Sequence, residues 1–210
     1  SGGFNFRINY TSKKATITRI LPPIVVTTAS DPGNASNCSL RKALEAVALG
    51  ATPINSNCPA GTAGATITFD PGVFSSPQTI TLTGSKHISI QTSVIIIGPG
   101  ARLLSIDAIN NSRVFAIDDA LPSNYANVEI YGLNLVKGLA VTPTAFGGAI
   151  ASEENLILGG VRIAQSEARY TDSPPGLAKG GAIAMGVEAN LTIYDSLLVS
   201  NQAVTAATDS

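Results

Sequence analysis

The sequence predicts an all-β solenoid with one short amphipathic helix near its amino end, and three observations indicate this fold class. Short runs of alternating apolar and polar residues follow one another from residue 66 onward. The motif Gly-Gly-Ala-Ile occurs at 147–150 and again at 180–183. Only the segment 39–50 has convincing helical periodicity. Together they favour a stack of similar β-coils over a globular mixture of helices and strands.

The amino-acid composition already argues against several classes of protein. The chain has 210 residues, 13 basic and 14 acidic, for a net charge of −1. Charged residues make up 13% and hydrophobic residues 44%, against about 25% charged in an average globular protein. This apolar content argues against disorder, and the lack of excess positive charge argues against a nucleic-acid-binding domain. No run approaches the roughly 18 apolar residues of a transmembrane helix.

The predicted helix is bounded by recognisable capping residues. Asn37 or Ser39 can serve as its N-cap, and Gly50 is a natural C-cap. Pro53 follows soon after, where a helix has to have ended. One face of the helix collects apolar residues, namely Leu40, Leu44 and Val47. The segment is therefore a short helix with one side to bury.

The predicted strands are short and regularly spaced. Each run has about four residues, fewer than the usual five or six, and Gly, Asn, Asp, Pro or Ser separate the runs. No Asn-Gly or Asp-Gly hairpin turn lies between them. The runs are 66–69, 79–82, 87–90, 94–97, 103–106, 114–117 and 128–131.

Three later segments, 128–140, 156–168 and 191–203, align as repeats. Their first, third, eighth and thirteenth positions are apolar while the residues between them vary, as expected for the inward rungs of a solenoid. The fifth position holds Gly132, Gly160 or Asp195, which predicts a tight bend between two strands of one coil. The Gly-Gly pairs predict a corner that needs positive φ or close backbone approach.

The segment Asn37-Cys38-Ser39-Leu40-Arg41-Lys42-Ala43 resembles the C-S-L-R-E-A signature that opens many secreted right-handed parallel β-helix proteins, with Lys42 where those usually carry glutamate. The order of Cys58, the β-runs and the Gly-Gly-Ala-Ile coils also matches, so the resemblance covers roughly residues 24 to 210. The pattern of Gly-Gly-Ala-Ile with Leu198-x-x-Asn201 is similar, more weakly, to polymorphic outer-membrane autotransporter passengers, which usually have phenylalanine where Leu198 stands. The resemblance implies a right-handed parallel β-helix capped by the helix at 40–49.

Two parts are expected: amino-terminal strands, capping helix and disulfide at 1–65, and β-helix coils at 66–210. The chain stops where another Gly-Gly-Ala-Ile coil would follow, so we expect the coils to be truncated at the carboxyl end. Residues 4–20 alternate like strands. They could lie over the first coil, extend its sheet, or act as donor strands for a neighbouring subunit, and the sequence does not choose among these.

The two cysteines, Cys38 and Cys58, are 20 residues apart and are compatible with one disulfide, the alternative being two free buried thiols. A disulfide closing a loop of this length would stabilise by roughly 3 kcal/mol. It would also place the protein outside a reducing cytosol, as an extracellular or cell-surface protein. With His87 as the only histidine, the usual four-ligand zinc site is not available. We predict no metal and no cofactor.

The candidate catalytic groups are few. Asp118-Asp119 and Glu153-Glu154 are the only adjacent acidic pairs, and both are interpreted as solvated turns, the first with an aspartate capping the backbone. His87 is interpreted as a surface or rung residue, because no acid or nucleophile motif lies near it. Phosphate-loop, dinucleotide-binding and polygalacturonase-like motifs are absent. The sequence therefore predicts no catalytic residue and no enzyme.

The leading functional hypothesis is a secreted or cell-surface scaffold, such as a stalk, adhesin or fibre segment, that presents loops at 121–127 and 170–179. One alternative is a polysaccharide-binding or polysaccharide-degrading β-helix, acting as a lyase or a glycoside hydrolase. A further alternative is an end-to-end self-assembly module that uses the open carboxyl coil. The expected partners are glycans, other surface proteins or further copies of the chain, and not nucleic acid; no membrane span is predicted in this segment.

Overall fold

The structure, a computed structural model, describes residues 5–20, 22–84, 86–121, 125–141, 143, 145–171 and 176–205. The middle of each predicted presenting loop, at 122–124 and 172–175, lies outside these residues, as does the chain end at 206–210. In the described residues the elements follow in this order: β1 (Asn5–Thr11), β2 (Lys14–Ile20), β3 (Ile24–Val26), α1 (Leu40–Leu49), β4 (Ala65–Phe69), α2 (Pro71–Phe74), β5 (Gln78–Thr81), β6 (Ile88–Ile90), β7 (Val94–Ile97), β8 (Leu104–Asp107), β9 (Phe115–Ile117), β10 (Asn127–Tyr131), β11 (Asn134–Val136), β12 (Leu139–Val141), β13 (Ile150–Ser152), β14 (Asn155–Gly159), β15 (Arg162–Ala164), β16 (Glu167–Tyr170), β17 (Ile183–Met185), β18 (Leu191–Tyr194), β19 (Leu197–Val199) and β20 (Gln202–Thr205).

From β3 onward, the strands of the described residues wind into stacked coils and form four parallel sheets. Sheet 1 contains β3, β4, β7, β10, β14 and β18, and sheet 2 contains β5, β8, β11, β15 and β19. Sheet 3 contains β6, β9, β13 and β17, and sheet 4 contains β12, β16 and β20. Each strand pairs with its counterpart one coil away, at the roughly 4.8 Å spacing of hydrogen-bonded strands. The fold is an all-β parallel β-helix, as the sequence predicts, and each predicted run becomes a strand.

The predicted rungs are confirmed by the register of the sheets. Val128 pairs with Leu156, which pairs with Leu191, and the eighth and thirteenth repeat positions stack in the same way. Val128 and Leu156 are buried, whereas Leu191 is 38% exposed because no described coil lies above it. Each coil therefore buries its interior only against the coils above and below.

The corners confirm the predicted use of glycine. Gly147 has φ of 65°, in the left-handed region that favours glycine. A Cβ at Gly147 would also collide with the carbonyl group of Ile150, and a Cβ at its neighbour Gly148 would lie 2.2 Å from the carbonyl oxygen of Gly181 in the next coil. Gly147 thus meets both expected needs, and Gly148 meets the need for close backbone approach.

Helix α1 caps the first coil as predicted. The Ser39 hydroxyl accepts a hydrogen bond from the Lys42 N–H at 3.2 Å, and Gly50 has φ of 65°. The apolar face is buried: Leu40, Ala43, Leu44, Ala46 and Val47. The predicted disulfide joins Cys38, just before the helix, to Cys58, and both residues are buried.

Arg41 of the signature segment ties the cap to the solenoid. Its Nε and Nη2 donate to the two carboxylate oxygens of Asp31 at 2.7 and 2.8 Å. Its Nη1 donates to the carbonyl oxygen of His87 at 2.6 Å, just before β6. The Asp31 carboxylate is 1% exposed, so this bidentate pair is a buried contact.

Two features differ from expectation. Helix α2 was not predicted; Asp70 caps it by accepting from the Gly72 N–H at 2.8 Å, and Asp-Pro is the sequence signal that was missed. Strands β1 and β2 form an antiparallel hairpin that no third strand of the described chain joins. Of the three alternatives for residues 4–20, extension of the first coil's sheet is therefore excluded for the described residues. Pro22 and Pro23, which lack a backbone N–H, separate the hairpin from β3.

Candidate functional site

A groove runs along the outer face of sheet 3. Its floor is a ladder of alanines at the centres of β9, β13 and β17, namely Ala116, Ala151 and Ala184. Two adjoining cavities of about 400 and 430 Å³ form the groove, and Asp118, Glu153 and Val187 line both. Because an alanine side chain ends at Cβ, the surface of the sheet is lower along this ladder than at the strand ends, where the side chains are larger. These volumes fall within the range of small-ligand sites.

Basic residues and one aromatic ring form the rim where the sheet 3 strands begin. Arg113 precedes β9, and its Nε donates to the carbonyl oxygen of Phe146 at 2.8 Å. The Lys179 ammonium lies 5.6 Å from the centre of the Phe146 ring, a cation–π geometry. Burial lowers the pKa of Arg113 from its ordinary value. This end of the groove is cationic.

Acidic residues form the opposite rim, where the strands end. Asp118 and Glu153 directly follow Ile117 and Ser152, which pair across neighbouring coils, so their backbones stack one coil apart. Glu188 lies beyond them and accepts a hydrogen bond from the Tyr125 hydroxyl at 3.1 Å, which raises the pKa of that tyrosine. Asp118, Glu153 and Glu188 take part in none of the four ion pairs among the described residues. The groove therefore has opposite charges at its two ends.

Glu154 behaves differently from its neighbour Glu153. The interpretation of Glu153-Glu154 as a solvated turn holds for the exposed Glu153 but is wrong for Glu154, which is only 2% exposed. The Glu154 carboxylate accepts hydrogen bonds from the backbone N–H groups of Asp119 at 3.0 Å and Ala126 at 2.6 Å. Burial is the main cause that raises its pKa. Glu154 thus holds together the two ends of the 119–126 segment.

Three carboxylates lie close together just after strands β9 and β13. Oxygens of Asp118, Asp119 and Glu154 lie within 4.8 Å of one another, a spacing that could suit a cation. Each of these carboxylates accepts a backbone N–H, Asp118 from Ala120 at 2.7 Å and Asp119 from Leu121 at 2.8 Å. The expectation that an aspartate caps the turn is therefore confirmed. These hydrogen bonds explain why the three carboxylates lie close together: they order the backbone that follows β9.

Acid–base chemistry on a ligand in the groove would need a carboxyl group within hydrogen-bond reach of it. Glu154 has the raised pKa that a general acid requires, but it is buried and occupied by backbone donors. Asp118 and Glu153 are exposed to the groove. Glu154 also lines the 430 Å³ cavity, so the carboxyl group with the raised pKa borders the groove but is far less exposed than Asp118 and Glu153.

His87 lies at the beginning of sheet 3 and lines neither cavity of the groove. It is half-buried, and burial lowers the pKa of its imidazole, with Arg113 and Arg41 adding smaller effects of the same sign. This placement agrees with its interpretation as a rung residue at the edge of the surface. The groove itself was missed from sequence; its signal is the alanine at the centre of Phe-Ala-Ile, Ile-Ala-Ser and Ile-Ala-Met.

No family model, curated protein or solved structure matches this chain. Within the part of the chain that the structure describes, no helix has the length and apolar character needed to cross a membrane.

Proposed function

We propose that this protein is a secreted or cell-surface scaffold of the structural or adhesive kind. The observation that carries the proposal is the unbroken register of the coils: each strand of sheet 1 pairs in parallel with the next, from β3 to β18. Such a stack is a stiff, extended body that keeps its surface groups at fixed spacings. The disulfide between Cys38 and Cys58 supports a location outside a reducing compartment.

The use of the buried acidic groups supports a scaffold over an enzyme. Asp31 holds Arg41 and the cap, and Glu154 holds two backbone N–H groups of one corner. Both carboxylates are thereby committed to contacts within the chain. A catalytic carboxyl group would need an open face toward its substrate.

A cleavage assay tests this proposal. The chain is incubated with panels of neutral and acidic oligosaccharides, and new chain ends are measured by mass spectrometry. We expect no turnover. Turnover that the Asp118→Asn variant loses would overturn the scaffold proposal in favour of a polysaccharide-degrading enzyme.

Glycan binding is a second candidate, favoured by the groove on sheet 3. Carboxylates at one rim and cations at the other are groups that hydrogen-bond to sugar hydroxyl and carboxyl groups, and Phe146 is an exposed ring. Filling the floor with Ala151→Phe should abolish binding of any oligosaccharide that uses the groove, as measured by calorimetric titration. Thr79→Phe is the matched control, because Thr79 is an exposed strand residue of sheet 2.

A further inference from the structure

The hairpin of β1 and β2 is a sheet with an uncovered surface. Its two seven-residue strands pair only with each other among the described residues. Ile8 is 50% exposed and Tyr10 is 77% exposed. An isolated two-stranded hairpin is at best marginally stable in water, and packing on another surface stabilises it. Within the described residues, the hairpin is thus incompletely packed at Ile8 and Tyr10.

The charge of this region is one-sided. Residues 1–30 contain no aspartate or glutamate, and they carry Arg7, Lys13, Lys14 and Arg19. Lys13 and Lys14 lie at the tip of the hairpin, where Thr11 pairs with Lys14, and both lysines are exposed. Neither lysine takes part in the ion pairs found among the described residues. Seven residues at about 3.3 Å each hold this tip roughly 23 Å from the base of the ribbon.

A complementary surface lies on the same chain. The 430 Å³ cavity at the acidic rim of the groove is lined by Asp118, Glu153 and Glu188, and by no lysine, arginine or histidine of the described residues. Leu121 and Val187 on its wall are 56% and 104% exposed. The cavity therefore offers carboxylates that form no ion pair among the described residues, together with uncovered apolar surface, and these complement a lysine tip and exposed isoleucine and tyrosine.

We propose that the Lys13-Lys14 tip of one chain inserts into this acidic cavity of a second copy. Neither lysine lies within 4 Å of a described carboxylate of its own chain, although both kinds of group are exposed. Because the donor and acceptor surfaces differ, each bound copy keeps one free tip and one free cavity. The contact is heterologous and joins chains head to tail. It goes beyond the scaffold function, which a single chain could also perform.

Mass as a function of concentration and salt is the first test. Sedimentation at low salt should show a mass that grows with protein concentration. At 0.5 M salt the growth should weaken at least about tenfold in apparent affinity, because exposed charge pairs are screened beyond a Debye length of about 10 Å at 0.1 M. Added tri-lysine should compete for the cavity and lower the assembled fraction. A chain that stays monomeric at all concentrations and at low salt would overturn the proposal.

Charge reversal tests the surfaces themselves. Lys13→Glu/Lys14→Glu and Glu153→Lys/Glu188→Lys should each abolish assembly alone. An equimolar mixture should assemble again, because each variant then finds a tip and a cavity of opposite charge. Lys86→Glu/Arg102→Glu is the control: it changes the net charge as much as the tip variant does, at exposed positions away from both surfaces. All variants change exposed side chains, and circular dichroism checks that they remain folded.

Assembly that both charge-reversed variants retain would assign the contact to another surface, such as the last described coil, and would refute this inference. Variants that fail alone and fail as a mixture would refute it as well. The scaffold proposal is judged separately by the cleavage assay, so one can fail while the other stands.

Discussion

Replacing Glu154 with alanine tests whether this buried carboxylate is a structural group. The change leaves the N–H groups of Asp119 and Ala126 without their acceptor. Each unsatisfied buried donor costs about 1–3 kcal/mol, so the two together cost about 2–6 kcal/mol. Part is regained, because the variant no longer buries a carboxylate whose pKa burial has raised. We expect a net loss of about 3 kcal/mol in the free energy of unfolding.

That loss corresponds to a fall of roughly 6–12 °C in the melting temperature, at about 2–4 °C per kcal/mol for a chain of this size. Glu154→Gln should cost less, since the amide oxygen still accepts one N–H while the amide nitrogen faces the other. Glu153→Ala is the matched control: the adjacent carboxylate is exposed, and the change should stay within about 0.5 kcal/mol.

Thermal and urea unfolding followed by circular dichroism measure all three variants. Equal stabilities for Glu154→Ala and Glu153→Ala would refute the reasoning, because burial and the two hydrogen bonds would then contribute nothing. A Glu154→Gln variant as stable as the wild type would show that the two backbone donors do not both depend on the carboxylate.

Three more predictions follow from the same contacts. Burial raises the pKa of Glu154 above its ordinary 4.5, so the folded chain holds this proton more tightly; the free energy of unfolding should fall as pH rises from about 4.5 through the folded-state pKa, and Glu154→Gln should lose that slope in urea titrations at several pH values. Replacing both Cys38 and Cys58 with serine should cost about 3 kcal/mol by urea unfolding, from the 20-residue separation, and an unchanged midpoint would contradict this. Gly148→Ala should cost about 3 kcal/mol or more in thermal unfolding, because its Cβ would meet backbone of the next coil at 2.2 Å, whereas Gly160→Ala, with open space at φ of 60°, should cost only about 1 kcal/mol.

Much of the fold could be predicted because its signals are local. The rung positions of the repeats follow from spacing alone, and the register pairs Leu135 with Ile163 and Leu198 as the alignment requires. The bend at the fifth position also follows from residue type, and Asp195 takes φ of 50° there. In a solenoid each coil meets only its neighbours, so a repeat in sequence becomes a contact in space.

The candidate site could not be predicted in the same way. Ala116, Ala151 and Ala184 are single small residues up to 68 positions apart, and only the stacking of β9, β13 and β17 makes them a floor. The burial of Glu154 beside the exposed Glu153 depends on the backbone N–H groups of Asp119 and Ala126 lying within reach of its carboxylate, which no local pattern shows.

The sequence by itself determined the class of fold, the short amphipathic helix and the apolar interior, because periodicity and capping act over a few residues, whereas the tertiary structure decided that Cys38 and Cys58 are joined. The tertiary structure decided which charged groups are buried and bonded inside the chain and which remain exposed on its surface. It buried Asp31 and Glu154, and left Asp118 and Glu153 exposed, with no ion pair among the described residues, at the groove end opposite Lys179. That division depends on distances between coils, since a charge is neutralised by whatever lies within a few ångströms in space and not by its neighbours along the chain.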